Sequence, residues 1–296
     1  MSVFYIVNPA AGKSDLWKRF EPHAGPDAVV RFTQQRGHAE ELARAAVKAG
    51  HERVAAVGGD GTLNEAANGV LAAGSLPSGF GLAHLPAGSG CDFARHFRLP
   101  LKPQAWPDYL RHGRVERIDV GRVSWGNPPS SRHFLNIAMA GLPGDVIRAM
   151  EKSGKPLGGT LSYMSVTLAQ LLRSRAKRIT LIIDGREHPP EPYHLFAVAN
   201  TSTTGGGMRL APGADATDGM LDFVAVGGVA LPKLLWHFPK IYRGTHLGTG
   251  GVIHCRVMRL DAESLEEVPL NIDGEALGFL PARFQVAPKA LPILLP

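Results

Sequence analysis

The chain reads as an α/β protein of two domains, an open α/β lobe followed by a mainly antiparallel β lobe. Three observations carry this. Its 296 residues are enough for two ordinary cores. Up to about residue 120, short apolar runs alternate with helix-periodic segments, which demands crossover connections and hence a parallel sheet. Beyond that point apolar runs follow one another through glycine and proline turns with few helices between them, the pattern of antiparallel strands. Domains are therefore expected at residues 1–120 and 121–282.

In chain order, residues 3–7 and 28–32 are apolar runs of strand length. Ala39, Leu42, Ala43, Ala46 and Val47 recur at helical spacing, and Gly50 closes that helix. Residues 53–57 form the next strand and run into Gly58-Gly59-Asp60-Gly61-Thr62-Leu63-Asn64-Glu65. Glycines here admit positive φ and let backbone N–H groups approach an anion, because no Cβ intervenes. From Thr62 a helix is expected through Leu63, Ala66, Ala67 and Val70, with Gly69 toward its end; its first N–H groups would face the same anion. Residues 81–85 make another strand, followed by a second glycine turn over residues 86–90. Both turns fall at carboxyl ends of strands, where open parallel sheets bind ligands, so the lobe is Rossmann-like in general plan.

The second lobe is expected to hold strands at residues 133–139, 179–183, 194–199, 220–226 and 252–260, with a loop at Pro128-Pro129. Two helices are expected, over residues 161–173 and 231–242. Their apolar positions are Leu161, Met164, Leu168, Leu171 and Leu172 in one, and Leu231, Leu234, Leu235, Phe238 and Ile241 in the other. Such stripes suit the core first and a lipid pocket second.

A formal charge of +6 favours an anionic partner without choosing among them. No charge block is long enough for a nucleic-acid arm, and the densest basic patch is Arg173, Arg175, Lys177 and Arg178. Cys91 and Cys255 are the two cysteines, which fits a reducing cytosol. No secretory leader is read at the N-terminus. No apolar run approaches the roughly 20 residues that span a bilayer, so any membrane contact is expected to be peripheral. The 12 histidines form no zinc pattern. The Walker pattern fails because Val7 stands where its first glycine would be, and the dinucleotide pattern fails at Asn64.

Five segments in order carry a family resemblance: Asn8-Pro9-Ala10-Ala11-Gly12; Thr33 ahead of Gly37-His38-Ala39; the Gly58 turn; Pro86-Ala87-Gly88-Ser89-Gly90 with Asp92-Phe93-Ala94-Arg95; and Asp273-Gly274-Glu275. This set resembles the diacylglycerol kinase catalytic-domain family, in particular its soluble bacterial lipid kinases, with sphingosine and ceramide kinases as relatives. The resemblance covers nearly the whole chain and departs from the family at Cys91, where asparagine is usual.

The resemblance implies an ATP- and Mg2+-dependent lipid kinase of two lobes, the first completed by residues 283–296. Asn8, Pro9, Ala10, Ala11, Gly12, Thr33, Gly58, Gly59, Asp60, Gly61, Thr62, Leu63, Asn64, Glu65, Gly88 and Ser89 would serve the nucleotide. Glu275 is assigned as proton acceptor with Asp273 a close second, and Asp60 as the carboxylate on the magnesium side, which in some relatives is considered the base. Outside the family context Asp-Gly is a common hairpin turn. Asp215, Asp218 and the Met220 carbonyl would hold a structural magnesium; carboxylates so spaced around a turn can share one hard cation. The implied partners are a lipid substrate and a peripheral contact with the inner membrane surface of the cytoplasm, without nucleic acid, and a homodimer is left open. NAD kinase chemistry and a non-catalytic lipid- or nucleotide-binding module are the rival readings.

Overall fold

The computed structural model describes residues 2–13, 15–153, 166–167 and 169–296. The chain divides into two compact units, Met1–Asp119 with Pro288–Pro296, and Val120–Ala287. In the first unit, strands β1 (Phe4–Val7), β2 (Val29–Phe32), β3 (Arg53–Gly58) and β4 (Gly81–Pro86) pair in parallel in the order β2-β1-β3-β4. The C-terminal strand Ala282–Leu295 joins beside β4, with Ile293 opposite Leu82. β1, β3 and β4 are buried along their whole length, which is why they appear as unbroken apolar runs without alternation. The strand order reverses between β1 and β3, so the binding crevice of an open sheet belongs beyond their carboxyl ends.

Helix α1 (Asp15–Phe20) is too short to show a period, and aromatic packing holds it. Its Trp17 and Phe20 bury against Tyr5, at ring centroids of 5.3 and 5.7 Å, and Phe20 meets Trp106 at 5.5 Å. Helix α2 (His38–Lys48) follows Gly37, whose φ of 83° turns the chain into it. Helix α3 (Asp60–Ala72) starts two residues ahead of the Thr62 start read from sequence, at Asp60 itself. Gly69 lies in the last turn of α3, as expected, and an added Cβ there would collide with the Glu40 carbonyl. The glycine is therefore what lets α2 and α3 approach closely.

The second unit is antiparallel. Strand Arg186–Ala199 is its hub: its first part pairs with Lys177–Ile183, and its last part lies between Ile137–Gly141 and Leu221–Gly227. Pro269–Ile272 adds to Ile137–Gly141 and turns back as Glu275–Phe279, while Arg259–Glu263 pairs with both Lys177–Ile183 and Ala282–Leu295. Alternate inward residues fill one core, with Phe196 packed 6.0 Å from Phe223 and 5.6 Å from Phe284 between ring centroids.

Two expected strands are each divided. The 133–139 run splits into Ser130–Phe134 and Ile137–Gly141, and the 252–260 run into Val252–Val257 and Arg259–Glu263. Helix Leu142–Ser153 also interrupts the strands, where sequence showed only two helices. Leu231–Arg243 is helical as expected. Leu161, Met164 and Leu168, and the side chains of Leu231, Leu234 and Phe238, lie outside the described residues. Among the described residues no helix is long and apolar enough to cross a membrane.

Candidate active site

At the carboxyl edge of the parallel sheet, hydrogen bonds tie three turns into one bowl. Asn8 ends β1 and donates its backbone N–H to the Val57 carbonyl at 2.9 Å. Its side chain works in both directions, Nδ2 donating to Thr62 Oγ1 at 3.0 Å and Oδ1 accepting the Ala10 N–H at 2.9 Å. Pro9, Ala10 and Gly12 are left exposed on the turn, with Ala11 half-buried. The Lys13 N–H reaches the Ala87 carbonyl at 2.9 Å, and the Ala87 N–H reaches the Gly58 carbonyl at 2.8 Å. Thr33, half-buried just past β2, donates its N–H to the Val7 carbonyl at 2.9 Å.

Gly12, Gly58 and Gly88 act in this bowl by their lack of bulk. Gly58, Gly59 and Gly61 are absent from the positive-φ residues, and Gly59 is extended at φ −89°, ψ −173°, so the left-handed backbone expected of them is not used. A Cβ on Gly58 would strike Thr62, one on Gly88 would strike Gly59, and one on Gly12 would stand 2.6 Å from Ser89 Oγ. Gly88 thus packs on the Gly59 backbone while Gly58 and Gly12 leave room for the Thr62 and Ser89 side chains, and α3 opens into the bowl with first-turn N–H groups that have no acceptor within the helix.

Asp60 has a structural task. Its two carboxylate oxygens accept the N–H groups of Asp92 and Phe93 at 3.0 and 3.1 Å, capping α4 (Asp92–His96) from another segment. Glu65 does the same for α2, its Oε2 accepting the Ala39 N–H at 3.2 Å. Leu63 is wholly buried, and buried Asn64 accepts the Asn68 side-chain amide. Of the run expected to serve the nucleotide, then, Thr62, Leu63 and Asn64 are buried and Glu65 is half-buried against α2.

Cys91 precedes α4 at φ 51°, ψ 50°, a left-handed conformation that asparagine tolerates better than cysteine. Burial, with the charge of Asp60, pushes its thiol up to about 11. Sequence reasoning passed over His84, which is fully buried in β4 with Nε2 3.2 Å from the Gly58 carbonyl. Burial lowers its pKa, against the pull of Asp60, so the neutral imidazole donates to Gly58 and props the turn. A histidine inside an apolar strand was the signal available for it.

In the second unit, Asp273-Gly274 forms a two-residue hairpin loop with φ of 46° and 89°, between Ile272 and its partner Glu275, as the turn chemistry of Asp-Gly requires. The Asp273 carboxylate accepts three backbone N–H groups, from Leu135 at 2.7 Å, Asn136 at 3.0 Å and Ile137 at 2.8 Å. This clamp is what breaks the 133–139 run. Glu275 differs: its side chain is 19% exposed and stands 3.6 Å from the Arg132 guanidinium. Arg132 had no signal in the sequence.

Asp215 Oδ1 accepts the Thr217 N–H and hydroxyl at 3.0 and 2.7 Å, and Asp218 Oδ1 accepts the Met220 N–H at 3.0 Å. Two carboxylates and the Met220 carbonyl are the hard oxygen chemistry magnesium takes, but Arg256 already pairs with Asp218. Among the described residues, no three His, Cys, Asp or Glu gather to hold a metal. The same unit contains an apolar cavity of about 100 Å3, lined by Met139, Leu142, Leu171, Leu195, Leu210 and Ile241 among others, with Thr167, Thr204 and His246 as polar exceptions.

An open α/β unit with glycine turns at its strand ends is followed by an antiparallel unit, and both parts match one class of kinases. Residues 2–123 match the diacylglycerol kinase catalytic domain and residues 136–295 the YegS C-terminal NAD kinase beta sandwich-like domain. Over 298 aligned residues the chain is 34% identical to a diacylglycerol kinase of Mycobacterium tuberculosis, covering 98% of this chain and 94% of that one. It is 27% identical to one of Bacillus subtilis strain 168, covering 98% and 95%. A crystal structure described as a diacylglycerol kinase of Bacillus anthracis strain Sterne superposes with a TM-score of 0.73 at 20% identity, covering 100% of this chain and 97% of that one, and shows the shared fold. The chain belongs to the diacylglycerol kinase family, and with it to the lipid kinases.

Proposed function

We propose that the protein is an ATP- and Mg2+-dependent kinase that moves the γ-phosphoryl group onto a hydroxyl of diacylglycerol or a closely related lipid, at the cytoplasmic face of the membrane. The observation that carries this is the bowl of turns at the β1/β3 switch point, where Asn8, Gly12, Gly58, Gly88 and the start of α3 stand within hydrogen-bonded reach of one another. Bowls of backbone N–H groups at a helix N-terminus receive phosphates. Thr33, Gly59, Gly61 and Ser89 complete this nucleotide surface, with buried Thr62 beneath it holding Asn8.

On the acceptor side, Glu275 is the proton acceptor and Asp273 the clamp that fixes the hairpin bearing it. The grounds are that Asp273 is engaged by three amides while Glu275 is partly exposed beside Arg132. Phosphoryl transfer asks mainly for alignment and charge neutralisation, so Glu275 orients the hydroxyl and receives its proton as the new P–O bond forms and the bond from the γ-phosphorus to the bridging oxygen breaks, releasing ADP. Asp60 holds the α4 turn and faces the magnesium side through its remaining lone pairs. Magnesium, when bound, neutralises phosphate charge; Asp215, Asp218 and the Met220 carbonyl would hold a further, structural ion once Arg256 yields Asp218. The apolar cavity suits the acyl part of the acceptor.

The test is transfer of labelled γ-phosphate from ATP by purified protein, with and without magnesium, to diacylglycerol, a sphingoid base, ceramide and NAD in parallel. Magnesium-dependent labelling of diacylglycerol is expected. Labelling of NAD in place of any lipid, or of nothing, would overturn the reading.

A further inference from the structure

We infer that helix Leu231–Arg243 is the membrane-docking element of the second unit, seating on an anionic bilayer through a stripe of Lys233, Trp236, Lys240 and Arg243. These residues fall at i, i+3, i+7 and i+10, on one face of the helix. Trp236 is 72% exposed, the most exposed aromatic side chain among the buried and exposed residues described, and Lys240 stands 6.0 Å from its ring centroid. Lys233 and Arg243 are exposed on either side, and Tyr242 at the helix end is 43% exposed. The other side of the helix is held by the core: Leu235 packs on the cluster of Leu142, Val146 and Leu171, and Ile241 lines the apolar cavity.

The charge along the helix has one sign. From residue 231 to residue 243 the chain contains no Asp or Glu but carries Lys233, Lys240 and Arg243. A protein partner of mixed surface charge does not require such a stretch, whereas an anionic headgroup layer does. A large exposed indole flanked by cations is the residue set that settles at the level of lipid headgroups. Leu171 anchors a second helical segment in the same core cluster, and its neighbours Leu172, 55% exposed, and Arg173 repeat the pattern of apolar residue beside cation. At 13 residues the helix is roughly 20 Å long, sized to lie in the interface. The occupant is thus a lipid surface; only the purpose of docking, delivery of the acceptor toward the cavity, rests on the lipid-kinase reading.

Flotation of the purified protein with vesicles of phosphatidylglycerol in phosphatidylcholine, and of phosphatidylcholine alone, tests this. The protein should float with the anionic vesicles and far less with the neutral ones. Lys233→Gln, Lys240→Gln and Arg243→Gln combined should lower anionic partitioning about a hundredfold, since each cation near such a surface is worth about 1 kcal/mol. Trp236→Ser alone should lower it about tenfold. Turnover of a detergent-dispersed short-chain acceptor should be unchanged in both variants, which shows that they fold. Equal flotation of the variants and the parent, or no flotation of the parent, would overturn the proposal, as would self-association through this face that Trp236→Ser abolishes without vesicle binding. Vesicle binding in a protein that phosphorylates no dispersed lipid would sustain the docking surface while removing the kinase reading.

Discussion

The bowl of the first unit and the hairpin of the second use acidic residues to the same structural end but leave different chemistry behind. In the bowl, backbone makes the site: glycines bring three turns together, and Asp60 spends both oxygens on the start of α4. In the hairpin, side chains make it: Asp273 gathers three amides from the segment ahead of Ile137–Gly141, and this leaves Glu275, two residues on, as the carboxylate beside Arg132. A carboxylate in a family motif is therefore not by its presence a reacting group. Its hydrogen-bond partners tell whether the backbone has already engaged it.

The comparison breaks most directly at Asp273. Removing it strands three backbone donors and places alanine at a φ of 46°, so Asp273→Ala should cost about 4 kcal/mol in urea unfolding. A loss no larger than that of an ordinary surface change would deny the clamp. Asp60→Ala, which strands two donors, should cost roughly 2–3 kcal/mol by the same measurement. Gly69→Ala should cost about 1–3 kcal/mol from overpacking against the Glu40 carbonyl; a neutral result would mean that α2 and α3 can part freely.

The smallest effect is expected at Cys91. Cys91→Asn should stabilise by about 0.5–1 kcal/mol, because asparagine accepts the left-handed backbone. The thiol itself, raised from 9.0 to about 11 by burial and by Asp60, favours the folded state while protonated. That contribution is full below pH 9.0 and is lost as pH rises through about 11. Alkylation of native protein at neutral pH should accordingly be slow at Cys91, and mass spectrometry of the labelled peptides would show whether it is.

How far all this could be read from sequence depends on the span of the signal. β1, β3 and β4 were legible because strands buried on both faces make unbroken apolar runs, and α2 because 11 residues show a period. α1, α4 and helix Trp106–His112, at five to seven residues, fall below any periodic window. The 133–139 run looked like one strand because its break is imposed by Asp273, more than a hundred residues away in the chain. The glycine turns announced themselves locally, although Gly12, Gly58 and Gly88 proved to serve close packing instead of positive φ. Arg132, His84 and Arg256 had to be found in space, since each meets its partner through the fold.

Glu275→Gln tests the central claim most directly, with phosphorylation of diacylglycerol and thermal unfolding measured on the same preparation. The account predicts that lipid phosphorylation falls by roughly 10²- to 10⁴-fold while stability changes by less than about 0.5 kcal/mol. Near-normal turnover in a folded Glu275→Gln protein would contradict it.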